Sequence, residues 1–288
     1  MSNSRFDVDP EDLSLLQTLT GIASGKELEE HISVVQNKAN RVHCLTNIQI
    51  HNYPCIGLFT FTKFSIKLSP NYQQVLSLIR SRKDALFLDV GCCVGNALRK
   101  VVADGWPAGN TIGIDLHKEF WDIGHELFRS TSDSFPAGFI GGDIFDDTIL
   151  APIDDPDTIL NLNLETVDLH HLTFLTPLRR RVSAIYACNV FHLFTVEKQS
   201  KLAKRLAYLL MRKPGSVIFG SHGVVPAQRA EKDIGPNSFH SAESFAKMWS
   251  EVFEAGSVEI SWKIKVRPQR RLSVLGEWDI IWWSVTCI

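Results

Sequence analysis

The segment Leu88-Asp89-Val90-Gly91-Cys92-Cys93-Val94-Gly95 passes from apolar residues through an acid into a turn with two glycines. Glycine tolerates the tight backbone such a turn needs and lets a ligand approach main-chain N–H groups. The spacing is neither the G-x-G-x-x-G of a dinucleotide fold nor the Gly-Lys-Ser/Thr of a phosphate loop. What stands there is acid-x-Gly-x-Cys-x-Gly, which a ligand-free strand-turn-helix would also permit. Asp115, twenty residues after Gly95, closes the next apolar run. An acid at that strand end can accept both hydroxyls of a ribose. Asp143, in Gly142-Asp143-Ile144, ends a third run; taken singly it reads as a turn or cap residue. A fourth run leads into Ala187-Cys188-Asn189-Val190-Phe191-His192-Leu193-Phe194. With a reference pKa of about 6.5, His192 suits accepting a proton from a hydroxyl; a packed histidine is the alternative. His222 follows the fifth run and could line the same edge.

These positions need a scaffold that brings strand ends together. Asp9-Pro10 can start a helix carrying Leu13, Leu16 and Leu19, and a second helix is expected from Glu27 to about Ala39. Between them and Tyr72 lies an irregular stretch with Pro54, Ser69-Pro70, Phe59, Phe61 and Phe64, which suits a cover better than a scaffold. From Tyr72 onward helices alternate with strands: strands are expected at 85–90, 111–116, 139–144, 182–189 and 216–221, with helices at 72–81, 96–103, 118–129, 196–211 and 241–253. Such alternation means βαβ units and a parallel sheet, because each crossover helix must cover a sheet face. Two further strands, 258–266 and 278–285, arrive as a pair and make seven. The stretch 146–173 reads as a long surface loop carrying His170 and His171. Arg179-Arg180-Arg181 and the alternation Lys263, Lys265, Arg267 read as solvated faces. The chain thus divides into a helical extension, 1–71, and an α/β domain, 72–288.

Composition narrows the partners. The 288 residues carry 30 Lys+Arg against 32 Asp+Glu, a net charge of −2, with 44% hydrophobic residues. That is ordinary globular composition, and a pI near 6.5 lacks the basic surface of a nucleic-acid binder. Met1–Asp9 has no apolar leader core and no run approaches the roughly 18 residues of a membrane span, so a soluble, cytoplasmic protein is expected. The six cysteines are irregularly spaced and read as reduced thiols, with no metal site expected. The oligomeric state stays open.

Taken together, the motifs across residues 27–285 resemble the small fungal methyltransferases of terpenoid and meroterpenoid pathways. The resemblance rests on Tyr53-Pro54-Cys55-Ile56, the Asp-x-Gly-Cys-Cys-x-Gly turn, Gly113-Ile114-Asp115-Leu116 with Phe120-Trp121, and Gly142-Asp143-Ile144-Phe145-Asp146. Phe191-His192-Leu193-Phe194 and Pro214-Gly215-Ser216-Val217-Ile218-Phe219-Gly220-Ser221-His222 continue it. It implies a Rossmann-like class I methyltransferase fold: a seven-stranded, mostly parallel sheet with helices on both faces and a helical N-terminal lid. It also implies S-adenosyl-L-methionine as cofactor, contacted by Tyr53, by Asp89, Gly91, Cys92 and Gly95, by Asp115 and Leu116, by Asp143 and Ile144, and by Asn189 and Val190. The implied reaction is methyl transfer to a carboxylate or hydroxyl oxygen of a small hydrophobic molecule. Phe59, Phe61, Phe191 and His222 would form the acceptor pocket and His192 would act in catalysis. The Asp/Pro-rich stretch 151–170 is an addition to that pattern. A catalytically silent cofactor-binding regulator and a nicotinamide-dependent oxidoreductase are the competing functions.

Overall fold

A computed structural model describes residues 8–45, 54–57, 59–152, 168–230, 238–265 and 279–288, the side chains of 43–45, 54 and 55 excepted. Helix α1 (Pro10–Thr20) starts where the Asp9 side chain accepts from the Asp12 N–H, and stops where Gly21 turns left-handed. It is followed by α2 (Gly25–Leu45) and the short α3 (Pro54–Gly57). Leu28, Ile32, Val35 and Ala39 recur at helical spacing on α2 and are buried. They pack with Leu16, Phe61 and Phe64 against Phe120, Ile123, Leu127 and Phe128. The N-terminal helices therefore share a hydrophobic cluster with the α/β domain.

Next come α4 (Tyr72–Ser81), β1 (Leu86–Val90), α5 (Asn96–Ala103), β2 (Thr111–Asp115), α6 (Lys118–Leu127) and β3 (Gly138–Gly141). The chain continues with β4 (Val182–Cys188), α7 (Val196–Leu209), β5 (Val217–Val224), α8 (Ala227–Ala230), α9 (Ala242–Ser250), β6 (Val258–Lys265) and β7 (Asp279–Cys287). The sheet order is β3-β2-β1-β4-β5-β7-β6. β7 runs antiparallel to both neighbours, and the remaining pairs are parallel. Successive strand residues face opposite sides, so Phe87 joins the layer of α4 and α5 while Leu88 joins that of α7 and α9. Both faces being covered explains why β1 is apolar almost throughout.

Several expectations shift at strand ends. β3 stops at Gly141, short of residue 144, because its partner β2 ends at Asp115, which pairs with Gly141. β5 runs three residues past Ser221. β4 ends there, with Cys188 opposite Ser221, but β7 goes on pairing through His222–Ile281 to Val224–Asp279. Arg179 is a correction: it is 8% exposed, with buried Nε and Nη2 lacking partners, because it lies just ahead of β4 under the tertiary fold. Lys263 and Lys265 are exposed as expected, and Arg267 lies outside the described residues. His170 and His171 are exposed, but His171 Nδ1 lies 2.7 Å from Asp168, a companion the loop reading overlooked. Cys92, Cys188 and Cys287 are free thiols. Among the described residues, no helix is long and apolar enough to cross a membrane.

Candidate functional site

β1 and β4 are sheet neighbours whose following connections leave in opposite directions, the arrangement that opens a crevice at the carboxyl ends of strands. Gly91 enters it with φ +70°, and a Cβ there would stand 2.6 Å from Val190 Cγ2. Glycine is required twice over, for the left-handed turn and for the approach of the loop after β4. Gly91 and Cys92 both donate their N–H to Ile114 O, at 2.8 and 3.2 Å. Cys93 takes φ +49°, unfavourable for a side chain, and its N–H donates to Asp115 Oδ2 at 2.8 Å. That charge-assisted bond offsets the strain. Gly95, at φ +71°, abuts Trp121 and leads into α5.

The two thiols face different surroundings. Cys92, expected to contact the cofactor, is 3% exposed, and its Sγ fills the space that a Cβ on Gly113 would take. Cys93 is the half-buried residue on the crevice side. No feature of two adjacent cysteines reveals which points inward; the Cys93–Asp115 bond decides it.

Asp89 and Asp115 supply the negative groups. Asp89 is 3% exposed, and burial together with the Asp115 charge pushes its pKa up to about 8. Asp115 is also raised by burial, against the pull of the His117 and Cys93 N–H groups. Its Oδ1 accepts from His117 at 3.0 Å and its Oδ2 from Cys93. Asp115 therefore braces the turn, and each oxygen retains further acceptor capacity. Asp143 is exposed and its Oδ1 accepts from Phe145 N–H at 2.9 Å, the hydrogen bond expected of a turn residue. Ile144 is buried and Leu116 is 58% exposed. Asn189 is left-handed at φ +55°, its N–H held by Ser221 O at 2.7 Å, which sets the course of the loop carrying Val190 to Phe194.

His192 is half-buried, stacked on Phe239 at 5.5 Å and lying 6.5 Å from His222. Burial lowers its pKa to about 4, correcting the expectation of an imidazole near 6.5. It is neutral across physiological pH and a weak base. Phe191, expected on the pocket wall, is wholly buried, edge-on to Phe245, Trp249 and Trp283, and anchors the loop from beneath. Phe59 and Phe61, also expected there, are 8% and 3% exposed within the N-terminal cluster. Asn96 Nδ2 donates to Phe61 O and Lys63 O at 3.2 and 2.8 Å, so that cluster is tied to the start of α5. Tyr53 lies outside the described residues.

Gly91, Cys93, Asp115, Asn189 and Val190 thus converge at one crevice, with His192 and His222 on the β4–β5 side. His240 and Trp283 were absent from the sequence reading. Trp283 reaches His222 through β5–β7 register, and a lone His240 in a loop gives no periodic signal.

The sheet order with β7 reversed, the glycine turn after β1 and the acid closing β2 define the class I methyltransferase fold. Residues 3–62 match the family model described as the meroterpenoid methyltransferase N-terminal domain. The chain is 33% identical over 222 residues to O-methyltransferase phiE of a fungal species, covering 76% of this chain and 65% of that one. It is 29% identical over 280 residues to O-methyltransferase atr3 of Stereocaulon alpinum, covering 95% and 70%. It is 31% identical over 207 residues to the Asnovolin E/Chermesin D methyltransferase nvfJ of Aspergillus novofumigatus, covering 72% and 62%. The chain spans about two thirds of the length of these relatives. The resemblance to fungal meroterpenoid methyltransferases read from the motifs is borne out.

Proposed function

We propose that the protein is an S-adenosyl-L-methionine-dependent O-methyltransferase acting on a carboxylate or hydroxyl oxygen of a small hydrophobic, terpenoid or aromatic, secondary metabolite. The observation that carries this is the pair Asp89 and Asp115 set beside the left-handed Gly91–Gly95 turn. A fully buried carboxyl held neutral by its surroundings is matched by a cationic ligand, and this cofactor carries an ammonium and a sulfonium. Asp115 has acceptor capacity for ribose hydroxyls, and Gly91 is exposed at the turn beside it. When bound, the cofactor supplies an electrophilic methyl group. The names of the fungal relatives support the same reading.

The protein's task in such a displacement is to hold donor and acceptor in line and exclude water, which can supply several kcal/mol. A carboxylate, with a reference pKa of about 4, is already ionised at neutral pH. The neutral His192 can orient such an acceptor through a hydrogen bond, and its lowered basicity favours a carboxylate over a hydroxyl. The described helices ahead of Tyr72 pack against α6, and Asn96 ties Phe61 and Lys63 to the start of α5 beside the crevice.

Calorimetry with S-adenosylhomocysteine and with NAD, followed by mass spectrometry with labelled S-adenosylmethionine and a panel of terpenoid acids and phenols, tests the reading. Asp115→Ala is expected to weaken S-adenosylhomocysteine about tenfold, the loss of hydrogen bonds to a charged acceptor. Unchanged affinity, or tighter binding of NAD, would overturn the cofactor assignment.

A further inference from the structure

Three imidazoles gather beside β5 with a ring nitrogen each to spare. His192 Nδ1, His222 Nε2 and His240 Nε2 are buried without a hydrogen-bond partner. His222 stands 4.4 Å from the Phe245 ring and 6.5 Å from His192, and His240 stands 5.8 Å from Phe245. Buried polar atoms are nearly always paired in native proteins, so a cluster of orphans around aromatic rings calls for a polar guest. Among the described residues, no three His, Cys, Asp or Glu side chains are arranged to hold a metal ion.

One of the three has a defined proton. The Trp283 indole can only donate, and its Nε1–H lies 3.1 Å from His222 Nδ1. Nδ1 must then be the bare nitrogen, and the proton of the neutral ring sits on Nε2. The orphan of His222 is therefore an N–H donor, buried to 1% exposure. Its place in the sheet sets it at the site's edge: β4 ends opposite Ser221, and His222 is the first β5 residue beyond that end, level with the loop that carries Val190 and His192. The ring packs on the α9 side, where Phe245 and Phe191 supply apolar surface, at 4.4 and 6.0 Å between ring centres.

We propose that His222 positions the methyl acceptor by donating its Nε2–H to an acceptor oxygen, and that Trp283 is the positioning residue that fixes the required tautomer. This rests on the methyl-transfer reading and adds to it the group that recognises the acceptor. His192 and His240 add two more buried, unpartnered ring nitrogens around the same aromatic cluster. The acceptor class that fits is an oxygen-bearing, otherwise apolar molecule whose reactive oxygen accepts a hydrogen bond while the methyl is transferred to it.

The wild-type protein is assayed first, by S-adenosylhomocysteine calorimetry and by turnover of a panel of sesquiterpenoid and aryl carboxylic acids with their matching alcohols and phenols. A protein that neither binds S-adenosylhomocysteine nor methylates any of them loses the methyl-transfer reading and this inference together. With an active acceptor in hand, His222→Asn keeps an acceptor for Trp283 and removes the Nε2–H. Its KM for that acceptor is expected to rise about tenfold with S-adenosylhomocysteine affinity unchanged, and His222→Gln, whose amide reaches the ε position, to recover most of the loss. An unaltered KM in a folded His222→Asn protein overturns the inference while leaving the cofactor assignment standing. Nitrogen-15 NMR of the wild-type imidazoles gives a readout independent of any variant's folding. His222 should show the Nε2–H tautomer, and Trp283→Phe should mix the tautomers and raise KM a fewfold without changing cofactor affinity. A wild-type Nδ1–H tautomer overturns the proposal outright, whichever acceptors turn over.

Discussion

A carboxyl with nowhere to put its charge is the most informative single residue in the molecule. Asp89 is raised to about 8 by burial and by Asp115, far above the ordinary value of 3.8. The raised folded pKa makes the unliganded fold favour the protonated acid: its contribution is intact below the unfolded value and is lost as pH climbs toward the folded one. Asp89→Asn should therefore stabilise the ligand-free protein at pH 7.5 by about 1 kcal/mol or more. The same variant should bind S-adenosylhomocysteine at least tenfold more weakly, since the amide cannot ionise opposite an ammonium. Denaturation and calorimetry on the one protein check both, and a destabilised variant with full affinity would refute the role given to Asp89. That this acid was special was legible from its place between an apolar strand and a glycine turn. Its neutrality was not, because it comes from Asp115 and from helices packed over both faces, and neither is local in sequence. Cys93 shows the same limit: its identity was read, but its left-handed backbone needs the Asp115 carboxylate to be seen.

Among the elements, α1 depends on an ion cluster. Lys67 Nζ lies 2.7 Å from Asp12 Oδ1, 3.0 Å from Asp9 Oδ1 and 3.2 Å from Glu11 Oε2. The Lys67 and Asp12 side chains are 12% and 4% exposed. Burial raises the Asp12 pKa, with Lys67 pulling it back, while Lys67 itself is raised by its acidic neighbours. Removing one partner of a buried pair leaves the other uncompensated, at a cost of about 3 kcal/mol. Lys67→Ala should accordingly speed hydrogen exchange across Pro10–Thr20 while β1 and β4 stay protected, and mass spectrometry of the exchanged peptides would show it. Uniform protection in α1 would mean that Leu16 and its apolar neighbours alone hold the helix. Helix α1 was legible from Asp9-Pro10 and its leucine spacing, and the strand-helix alternation gave the parallel sheet. What escaped were the ends set by partners: β3 shortened where β2 stops, and β5 prolonged where β7 continues. That prolongation carries His222, so its tautomer was beyond reach of any reading that treats strands one at a time.

For the whole molecule these groups combine into a pH profile. His192 and His240 are lowered to about 4, and His222 is lowered too, chiefly by burial. Each binds a proton in the unfolded chain near pH 6.5 that the fold refuses until well below it. Between about pH 6.5 and 4 the unfolded state thus holds more protons, and stability is lost as pH falls through that window. Asp89 works in the opposite sense, taking stability away as pH rises from about 4 toward 8. Asp12 and Asp115, raised by burial, act in the same sense. Near pH 5.5 these three imidazoles, joined by His125, which burial also lowers, outweigh the raised carboxyls, a net slope on the order of 1–2 kcal/mol per pH unit. The ligand-free Tm should therefore climb from pH 5 to about 6.5 and then decline gently toward pH 8. Saturating S-adenosylhomocysteine, by pairing the ionised Asp89, should flatten the alkaline limb and leave the acid limb in place. Scanning calorimetry across that range with and without ligand measures both limbs. A Tm that stays level from pH 5 to 6.5 would show that the three histidines are hydrated in solution, and an alkaline limb indifferent to ligand would detach Asp89 from the binding site.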